Sequence, residues 1–357
     1  MFLKGVSLLN VVIVGFGKIG RIKASIWSSL GTEVYVYDCN PLLLSDILAA
    51  GVKPYKANTF MGDDFIFDIS TPADTHVKAL EWAINSSYNL PRAILIEKPI
   101  VSSSVELDEL NLLINSFSKY RINDLINVNE TYYFSKALAL AKDYLKQNEN
   151  PPKQIRIELS KNRLFDNDNG RFYDHSLESF GLEAPHLLAI FQELGFDLKL
   201  LQTVQPDLYI AADRHDNQGF EIMLTYEKTV ISLVSYIGDF RRDSSEKDFA
   251  DNPAMVRSLS LKYDDSSCNI IFDTVMNGVD RFTSQINIKT GDKQSTKLIT
   301  DDHLRLYLSQ FLNADRPTDS RTGLNNSFSI ATTLIGLKER SVIKQPGIIT
   351  RKKELIT

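Results

Sequence analysis

The sequence predicts a two-domain α/β protein, in which a doubly wound parallel sheet precedes an α/β domain with a large, open, mainly antiparallel sheet. Three observations predict this. Short apolar strands alternate with helical patterns through the first third of the 357 residues, and a glycine-rich turn stands between the first strand and the first helix. After Asn129, strands that alternate polar and apolar residues dominate. The first pattern is typical of a parallel sheet covered by helices, and the last of an antiparallel sheet with one open face.

The first domain is predicted to span residues 1–128. Its apolar strands lack strict alternation, as expected for strands covered on both faces. The predicted strands are Val11–Val14, Glu33–Tyr37, Phe65–Ile69, Ala93–Ile96 and Leu125–Val128, and the predicted helices are Ile19–Leu30, Pro41–Ala50, Ala73–Asn85 and Ser104–Phe117.

The second domain is predicted to span residues 129–357. A helix over Ser135–Gln147 ends near Asn150-Pro151-Pro152, a natural break. Further helices are predicted over Gly181–Leu194, His303–Asn313 and Gly323–Arg340, the last of which is expected to pack on the first domain, and Arg241–Asn252 is predicted to be a solvated loop. The predicted strands are Ile155–Ser160, Leu208–Ala212, Glu221–Tyr226, Val230–Tyr236, Ser258–Tyr263, Asn269–Asp273 and Arg281–Ile288.

Composition excludes several classes of function. The formal net charge is -5, whereas a nucleic-acid surface usually needs a basic excess. Cys39 and Cys268 are far apart, so neither a disulfide framework nor a metal site is expected, and a cytoplasmic location fits. No apolar run is long enough for a membrane span. The run Met1–Val14 is a little like a signal peptide, but no small-residue cleavage site follows it. The glycine-rich turn that comes next makes better sense after a buried strand.

The glycine-rich turn Gly15-Phe16-Gly17-Lys18-Ile19-Gly20 has the strand–turn–helix context of a Rossmann dinucleotide site. Gly15 permits the tight turn, Gly17 lets the backbone approach a pyrophosphate, and Gly20 lets the helix pack closely on the strand. The helix start offers free N–H groups and a partial positive charge to the phosphates.

An acidic residue, Asp38, ends the second strand, 18 residues past Gly20. At that spacing a carboxylate accepts hydrogen bonds from the adenosine ribose, and it would repel a 2′-phosphate. The sequence therefore favours NAD over NADP, although Lys18 and Arg21 leave room for NADP. The alternative is a simple turn aspartate before Asn40-Pro41.

Two further motifs follow predicted strands at the edge of the sheet where ligands bind. Ser70-Thr71-Pro72, with His76 downstream, comes directly after the strand Phe65–Ile69. Glu97-Lys98-Pro99 follows the strand Ala93–Ile96 and places a lysine where it could bond a substrate hydroxyl and move its proton. The alternative for Ser70-Thr71-Pro72 is an ordinary helix start with an early proline. The alternative for Lys98 is an exposed surface lysine.

In this order and spacing, the four motifs resemble the Gfo/Idh/MocA family, the family of glucose–fructose oxidoreductase and inositol dehydrogenase. The tail Leu304–Ser341 resembles its closing helices. The resemblance implies a Rossmann domain followed by a larger α/β domain, and NAD(P)-dependent oxidation or reduction of a hydroxyl or ketone. It makes Lys98 the catalytic lysine, with a cis Lys98-Pro99 bond as in many relatives. It also places Thr71, Pro72 and His76 at the nicotinamide.

The family usually carries an aspartate and a histidine four residues apart on the first helix of the second domain. Here His186 takes the histidine position, but Leu182 stands at the aspartate position. Glu183 could supply the carboxylate from a shifted place, because residues three apart share a helix face. His186 and Glu183 are therefore candidate catalytic residues beside Lys98. The alternative for His186 is a structural histidine at a helix start.

Two segments are candidate substrate ligands. Glu130 and Tyr132 follow the last Rossmann strand, where relatives bind substrate. Asn162 and Arg163 lie in the segment Ser160-Lys161-Asn162-Arg163, which ends the first strand of the second domain. Arg163 and Lys161 could bind a carboxylate or phosphate, or could equally be solvated surface.

The resulting expectation is a cytoplasmic oxidoreductase that uses NAD(P) on a secondary hydroxyl or ketone of a sugar, nucleotide-sugar or cyclitol. One alternative is a relative whose tightly bound NAD is recycled, and another is a non-catalytic NAD(P)-sensing regulator of the same fold. A large one-sided sheet needs covering, so a homodimer or homotetramer is expected. No nucleic-acid or membrane partner is expected.

Overall fold

A computed structural model describes residues 9–57, 64–86, 89–170, 172–211, 214–238, 255–273, 282–313 and 319–344. The chain divides into two compact units. Unit 1 comprises Met1–Glu130 and Leu304–Ala331, and unit 2 comprises Thr131–His303 and Thr332–Thr357. The loop predicted at Arg241–Asn252 lies outside the described residues.

Unit 1 is built on a six-stranded parallel sheet in the order β3-β2-β1-β4-β5-β6, which confirms the doubly wound sheet. The order reverses between β1 and β4, and ligands of such sheets bind beyond the carboxyl ends of the strands at this point. The strands are β1 Asn10–Val14, β2 Glu33–Tyr37, β3 Lys53–Pro54, β4 Phe65–Ile69, β5 Ala93–Ile96 and β6 Ile126–Val128.

Helices cover the strands of unit 1, so β1, β4, β5 and β6 are buried along their whole length. Apolar side chains such as Val12, Phe67 and Ile94 form one core cluster. The helices are α1 Lys18–Ser29, α2 Leu44–Ala49, α3 His76–Asn85 and α4 Ser104–Ser116.

Unit 2 is built on a nine-stranded sheet in the order β14-β13-β12-β11-β7-β10-β9-β8-β15. Only the β7–β10 and β8–β15 pairs are parallel in the described sheet, which confirms the mainly antiparallel arrangement. The strands are β7 Gln154–Lys161, β8 Asp207–Ala211, β9 Arg214–Tyr226, β10 Thr229–Tyr236, β11 Met255–Lys262, β12 Ser266–Ile271, β13 Thr283–Thr290, β14 Lys293–Thr300 and β15 Val342–Lys344.

The helix predicted over Gly181–Leu194 is wrong as a single element, because the chain forms two helices that meet at Glu183. Pro185 lies in the first turn of the second helix, and its missing N–H prevents a continuous hydrogen-bond ladder. The described α-helices that follow α4 in the chain are α5 Lys136–Gln147, α6 Leu164–Asp168, α7 Ser179–Leu182, α8 Ala184–Glu193, α9 His303–Asn313 and α10 Leu324–Arg340.

Among the described residues, no helix combines the length and the apolar character needed to cross a membrane.

Candidate functional site

The glycine loop of unit 1 joins β1 to α1, and its three glycines have different reasons to be glycine. Gly15 has a φ of 95°, and a Cβ there would lie 2.9 Å from Thr71 Cγ2. A Cβ at Gly20 would lie 2.1 Å from the Gly15 carbonyl oxygen. A Cβ at Gly17, by contrast, would meet no described atom within 4 Å. Gly15 and Gly20 therefore shape the turn, whereas Gly17 borders open space.

Among the described residues, no side chain caps the start of α1. Gly17 is its N-cap residue, and its first turn holds no acidic residue. Lys18 is exposed and Ile19 is half-buried at this end. The uncapped N–H groups and the partial positive charge of a 12-residue helix suit a phosphate group.

Asp38 holds the glycine loop from the end of β2. Its Oδ2 accepts a hydrogen bond of 2.7 Å from the Phe16 N–H, and its Oδ1 accepts one of 2.8 Å from the Asn40 N–H. The Asp38 carboxylate therefore also stabilises the turn at Asn40-Pro41, which is the alternative role that the sequence left open. Arg21 stacks 4.6 Å from the centre of the Phe16 ring and pairs with Asp46 at 2.7 Å.

The segment after β4 presents buried polar atoms. Ser70 Oγ and Thr71 Oγ1 are buried and have no hydrogen-bond partner among the described residues. Pro72 is exposed beside them. Buried hydroxyls normally find a partner, so these two atoms fit a ligand that supplies one.

His76 connects this segment to the turn after β5. Its Nε2 lies 3.0 Å from the Thr71 carbonyl oxygen, and its Nδ1 lies 3.0 Å from the carbonyl oxygen of Pro99. Burial lowers the pKa of His76, and these carbonyl contacts oppose the shift. Because both ring nitrogens are engaged within the chain, the contact of His76 with a cofactor stays a prediction.

The turn after β5 contains Glu97 and Lys98. The Lys98-Pro99 peptide bond is cis, as the resemblance implied. Burial raises the pKa of Glu97, but Lys23, the Asn129 amide and Lys98 lower it by more, so its carboxyl group is held charged. Lys98 is half-buried next to it.

A buried ion cluster behind Glu97 escaped the sequence interpretation. Lys23 Nζ lies 2.6 Å from Asp68 Oδ1 and 2.6 Å from Glu97 Oε1, and Lys23 and Asp68 have no solvent exposure. Trp27 Nε1 donates a 2.9 Å hydrogen bond to Asp68 Oδ2. The available signal was a lysine on the apolar face of α1 together with an aspartate inside the apolar strand β4.

In unit 2, Glu183 is paired with the half-buried Arg257. Arg257 Nη2 lies 3.0 and 3.1 Å from the two Glu183 carboxylate oxygens, and Arg257 Nη1 lies 2.5 Å from Asp273 Oδ2. Burial opposes the charge of Arg257, but Glu183, Tyr132 and Asp273 raise its pKa well above the usual value. Both oxygens of Glu183 are thus already engaged, and its catalytic role stays a prediction.

Tyr132 and His186 lie in the same part of unit 2. The Tyr132 ring lies 5.0 Å from the His186 ring, 4.8 Å from the His303 ring and 5.2 Å from the Phe272 ring, measured between ring centres. Its hydroxyl donates a 3.4 Å hydrogen bond to Asp273 Oδ2. The structure therefore brings Tyr132, His186 and, through Asp273 and Arg257, Glu183 into one cluster.

The remaining predicted substrate ligands differ from one another in burial and in hydrogen bonding. Glu130 is buried in unit 1. Asn162 is exposed, and its Oδ1 accepts a 3.0 Å hydrogen bond from the Leu164 N–H. The solvated-surface alternative for Arg163 is wrong, because Arg163 is buried, donates to the Phe172 carbonyl oxygen at 3.3 Å and pairs with Asp166 at 3.4 Å.

Comparison with solved structures shows this two-domain fold in known proteins. The chain is similar to UDP-N-acetylglucosamine 3-dehydrogenase GnnA from Acidithiobacillus ferrooxidans, at 16% identity and a TM-score of 0.61, over 93% of this chain and 97% of that one. It is also similar to KijD10, a 3-ketoreductase from Actinomadura kijaniata solved with TDP-benzene and NADP, at 11% identity and a TM-score of 0.67, over 95% of this chain and 99% of that one. No family model and no curated protein sequence matches the chain.

Proposed function

We propose that this chain is an NAD(P)-dependent oxidoreductase of the Gfo/Idh/MocA type, which transfers a hydride between nicotinamide and a secondary hydroxyl or ketone of a nucleotide-activated sugar. One observation carries the proposal: open space at Gly17 borders the uncapped start of α1, at the switch point of a doubly wound sheet. That combination is typical of a pyrophosphate site.

The solved structures support the substrate class. GnnA is a dehydrogenase of a UDP-sugar, and KijD10 is a ketoreductase solved with NADP and a TDP compound. Both share the fold over nearly the whole of this chain. A nucleotide-activated sugar is therefore favoured over a free sugar or a cyclitol.

The residues present fit a nicotinamide dinucleotide. The N–H groups at the start of α1 would hold its pyrophosphate, Asp38 its adenosine ribose, and the buried hydroxyls of Ser70 and Thr71 its nicotinamide half. When bound, the cofactor supplies or accepts the hydride.

Lys98 supplies the proton chemistry in this proposal. Lys98 follows β5 at the ligand end of the sheet, and the charged Glu97 directly precedes it in the chain. It orients the reacting oxygen of the substrate by a hydrogen bond and moves the proton of that oxygen as the hydride is transferred. His186 as a second acid or base stays a prediction of the sequence.

We further propose that NAD is preferred over NADP. The Asp38 carboxylate, held in place by the Phe16 and Asn40 N–H groups, gives the ribose end of the site a negative charge. A 2′-phosphate would be repelled there. KijD10, solved with NADP, shows that the fold also accepts the phosphorylated cofactor.

A substrate panel tests the proposed function. Purified full-length protein is incubated with NAD or NADP and with UDP- and TDP-sugars, free sugars and cyclitols, and nicotinamide absorbance is followed in both directions. We expect turnover with at least one nucleotide-sugar and none with the same sugar lacking its nucleotide. Tight dinucleotide binding without turnover across the whole panel would instead favour the non-catalytic NAD(P)-sensing alternative.

A further inference from the structure

The ion cluster behind Lys98 joins four segments of unit 1. Lys23 comes from α1, Asp68 from β4 and Glu97 from the turn after β5, and Asn129 follows β6. The Asn129 amide donates to the same Glu97 oxygen that Lys23 contacts. The Glu97 carboxylate is therefore held by groups from two different segments.

Stability alone explains this cluster poorly. Removing charges from water is costly, and a well-packed apolar replacement of a buried ion pair is often neutral or stabilising. Here a lysine with no solvent exposure lies between two carboxylates. A cluster of this kind indicates that a fixed charge is needed at this place. The residue exposed to that charge is Lys98, which directly follows Glu97.

The charges alternate along the cluster in the order Asp68, Lys23, Glu97, Lys98. Lys23 contacts both carboxylates, and Glu97 also interacts electrostatically with Lys98. Lys23 thus neutralises part of the negative charge that Lys98 experiences, and Asp68 neutralises part of the positive charge of Lys23. A change at either buried residue alters the field at Lys98, and the two changes act in opposite directions.

We propose that Lys23 and Asp68 are positioning residues for Lys98, which keep the Glu97 carboxylate charged and fixed beside it and so set the charge state of the Lys98 amine. This inference rests on the proposed function, in which Lys98 moves the substrate proton. Neither residue contacts the reacting atoms, because both are enclosed in unit 1.

Other titratable groups interact with the cluster and are present in every variant. His76 on α3 interacts with Glu97. The buried Tyr307 of α9 interacts with Asp68, Glu97, Glu130 and Asp319. None of these groups is changed by a substitution at Lys23 or Asp68. A difference between variants therefore reports on the two substituted charges.

Two substitutions separate a positioning role from a merely structural one. Lys23→Met removes a positive charge, so the pKa of Lys98 rises, whereas Asp68→Asn removes a negative charge, so the pKa of Lys98 falls. We expect a shift of up to roughly one pH unit in each case, because a charge about 4–6 Å away typically moves a pKa by one unit or more and a more distant charge moves it by less. Asp68→Asn keeps the side-chain shape and one acceptor oxygen, which can accept a hydrogen bond from Lys23 or from Trp27 but not from both.

The measurement is the reactivity of the Lys98 amine toward acetic anhydride as a function of pH, read by mass spectrometry on the full chain. It needs no substrate. Lys142→Met is the matched control, because it removes a lysine from an ion pair with Glu193 inside unit 2. The control should titrate like the wild type at Lys98.

Shifts of opposite sign in the two variants support the proposal, and the limb of the kcat/KM pH profile that reports on Lys98 should move with them. Shifts of the same sign, or none, overturn it. If Lys23→Met does not fold, Asp68→Asn alone decides, because an unchanged or raised pKa of Lys98 contradicts the proposal. Failure of the wild type to bind a dinucleotide or turn over any substrate would count against the proposed function instead, and the labelling result would still be readable.

Discussion

Gly17 and Gly20 lie three residues apart, yet a methyl group should have different consequences at each. At Gly20 the new Cβ would overlap the Gly15 carbonyl oxygen, whereas at Gly17 it would enter open space. We expect Gly20→Ala to destabilise the fold by about 1–3 kcal/mol, as overpacking does. Gly17→Ala should change stability by no more than about 1 kcal/mol, the scale of an N-cap effect.

Dinucleotide affinity completes this comparison. Gly17→Ala should weaken NAD binding without a matching loss of stability, because the methyl group would stand where the pyrophosphate approaches the backbone. Thermal unfolding and calorimetric titration measure the two quantities. Unchanged NAD affinity in a folded Gly17→Ala variant would contradict the placement of the pyrophosphate.

Asp38 makes a separate prediction about cofactor choice. Asp38→Ser should lower NAD affinity by roughly ten- to a hundredfold, the range of a lost hydrogen bond to a charged group, and should lower NADP affinity much less. The ratio of the two dissociation constants, compared with the wild type, is the measurement. A ratio that does not move would assign Asp38 to the turn alone.

At this scale the sequence indicated the glycine loop and Asp38 better than the buried charges of Lys23 and Asp68. The glycine loop and Asp38 are close in the chain, so their spacing predicts their contact, whereas their role toward a cofactor stays a prediction. Lys23 and Glu97 meet at 2.6 Å because the fold brings α1 close to the turn after β5, which lies far along the chain. The pairing of Glu183 with Arg257 of β11 likewise joins residues far apart in the chain, and no spacing along the chain reveals it.

At the scale of elements, the bounds of buried strands and amphipathic helices were predicted better than those of exposed strands. The bounds of β2, β4, β5 and α9 agree with the sequence interpretation, because apolar runs or amphipathic spacing mark them. The strand β14, Lys293–Thr300, was missed because it is almost wholly exposed. It pairs with β13 through its backbone, so its side chains carry no apolar pattern.

The packing of α1 on the sheet depends on a charged residue in an apolar face, since Gly20, Lys23, Ala24 and Trp27 are all buried. Lys23→Met should destabilise the protein by about 3–5 kcal/mol, because it leaves buried carboxylates without their cation. The ion pair of Lys142 with Glu193 in unit 2 provides the control. Lys142→Met should lower the free energy of unfolding by less than about 1 kcal/mol. Chemical denaturation measures both, and equal losses would contradict the account.

The same cluster predicts a pH dependence. The pKa of Glu97 is lowered on folding, because Lys23, Asn129 and Lys98 outweigh burial. Its contribution to stability is then present above the unfolded pKa of about 4.3 and is lost as the pH falls through the lower folded value. The free-energy difference between the wild type and Glu97→Gln should therefore shrink in acid. A difference that stays constant from neutral pH into that range would argue against a charged Glu97.

For the whole molecule, the sequence predicted the two kinds of sheet correctly, and the solved structures of GnnA and KijD10 share that fold. Fold class is encoded redundantly in periodicity along the entire chain, which explains this result. The substrate is set by a few side chains whose contacts are long-range, and it is a proposal. The homodimer or homotetramer expected from the open sheet stays a prediction.

The central claim is that Lys98 acts on the reacting oxygen of a nucleotide-sugar while the rest of unit 1 holds the dinucleotide. The most direct measurement compares turnover of the wild type and Lys98→Ala on the best substrate of the panel, at saturating cofactor. We expect turnover to fall by about 10²- to 10⁴-fold, the usual contribution of acid–base catalysis, with NAD affinity nearly unchanged. Wild-type turnover in Lys98→Ala would contradict the account.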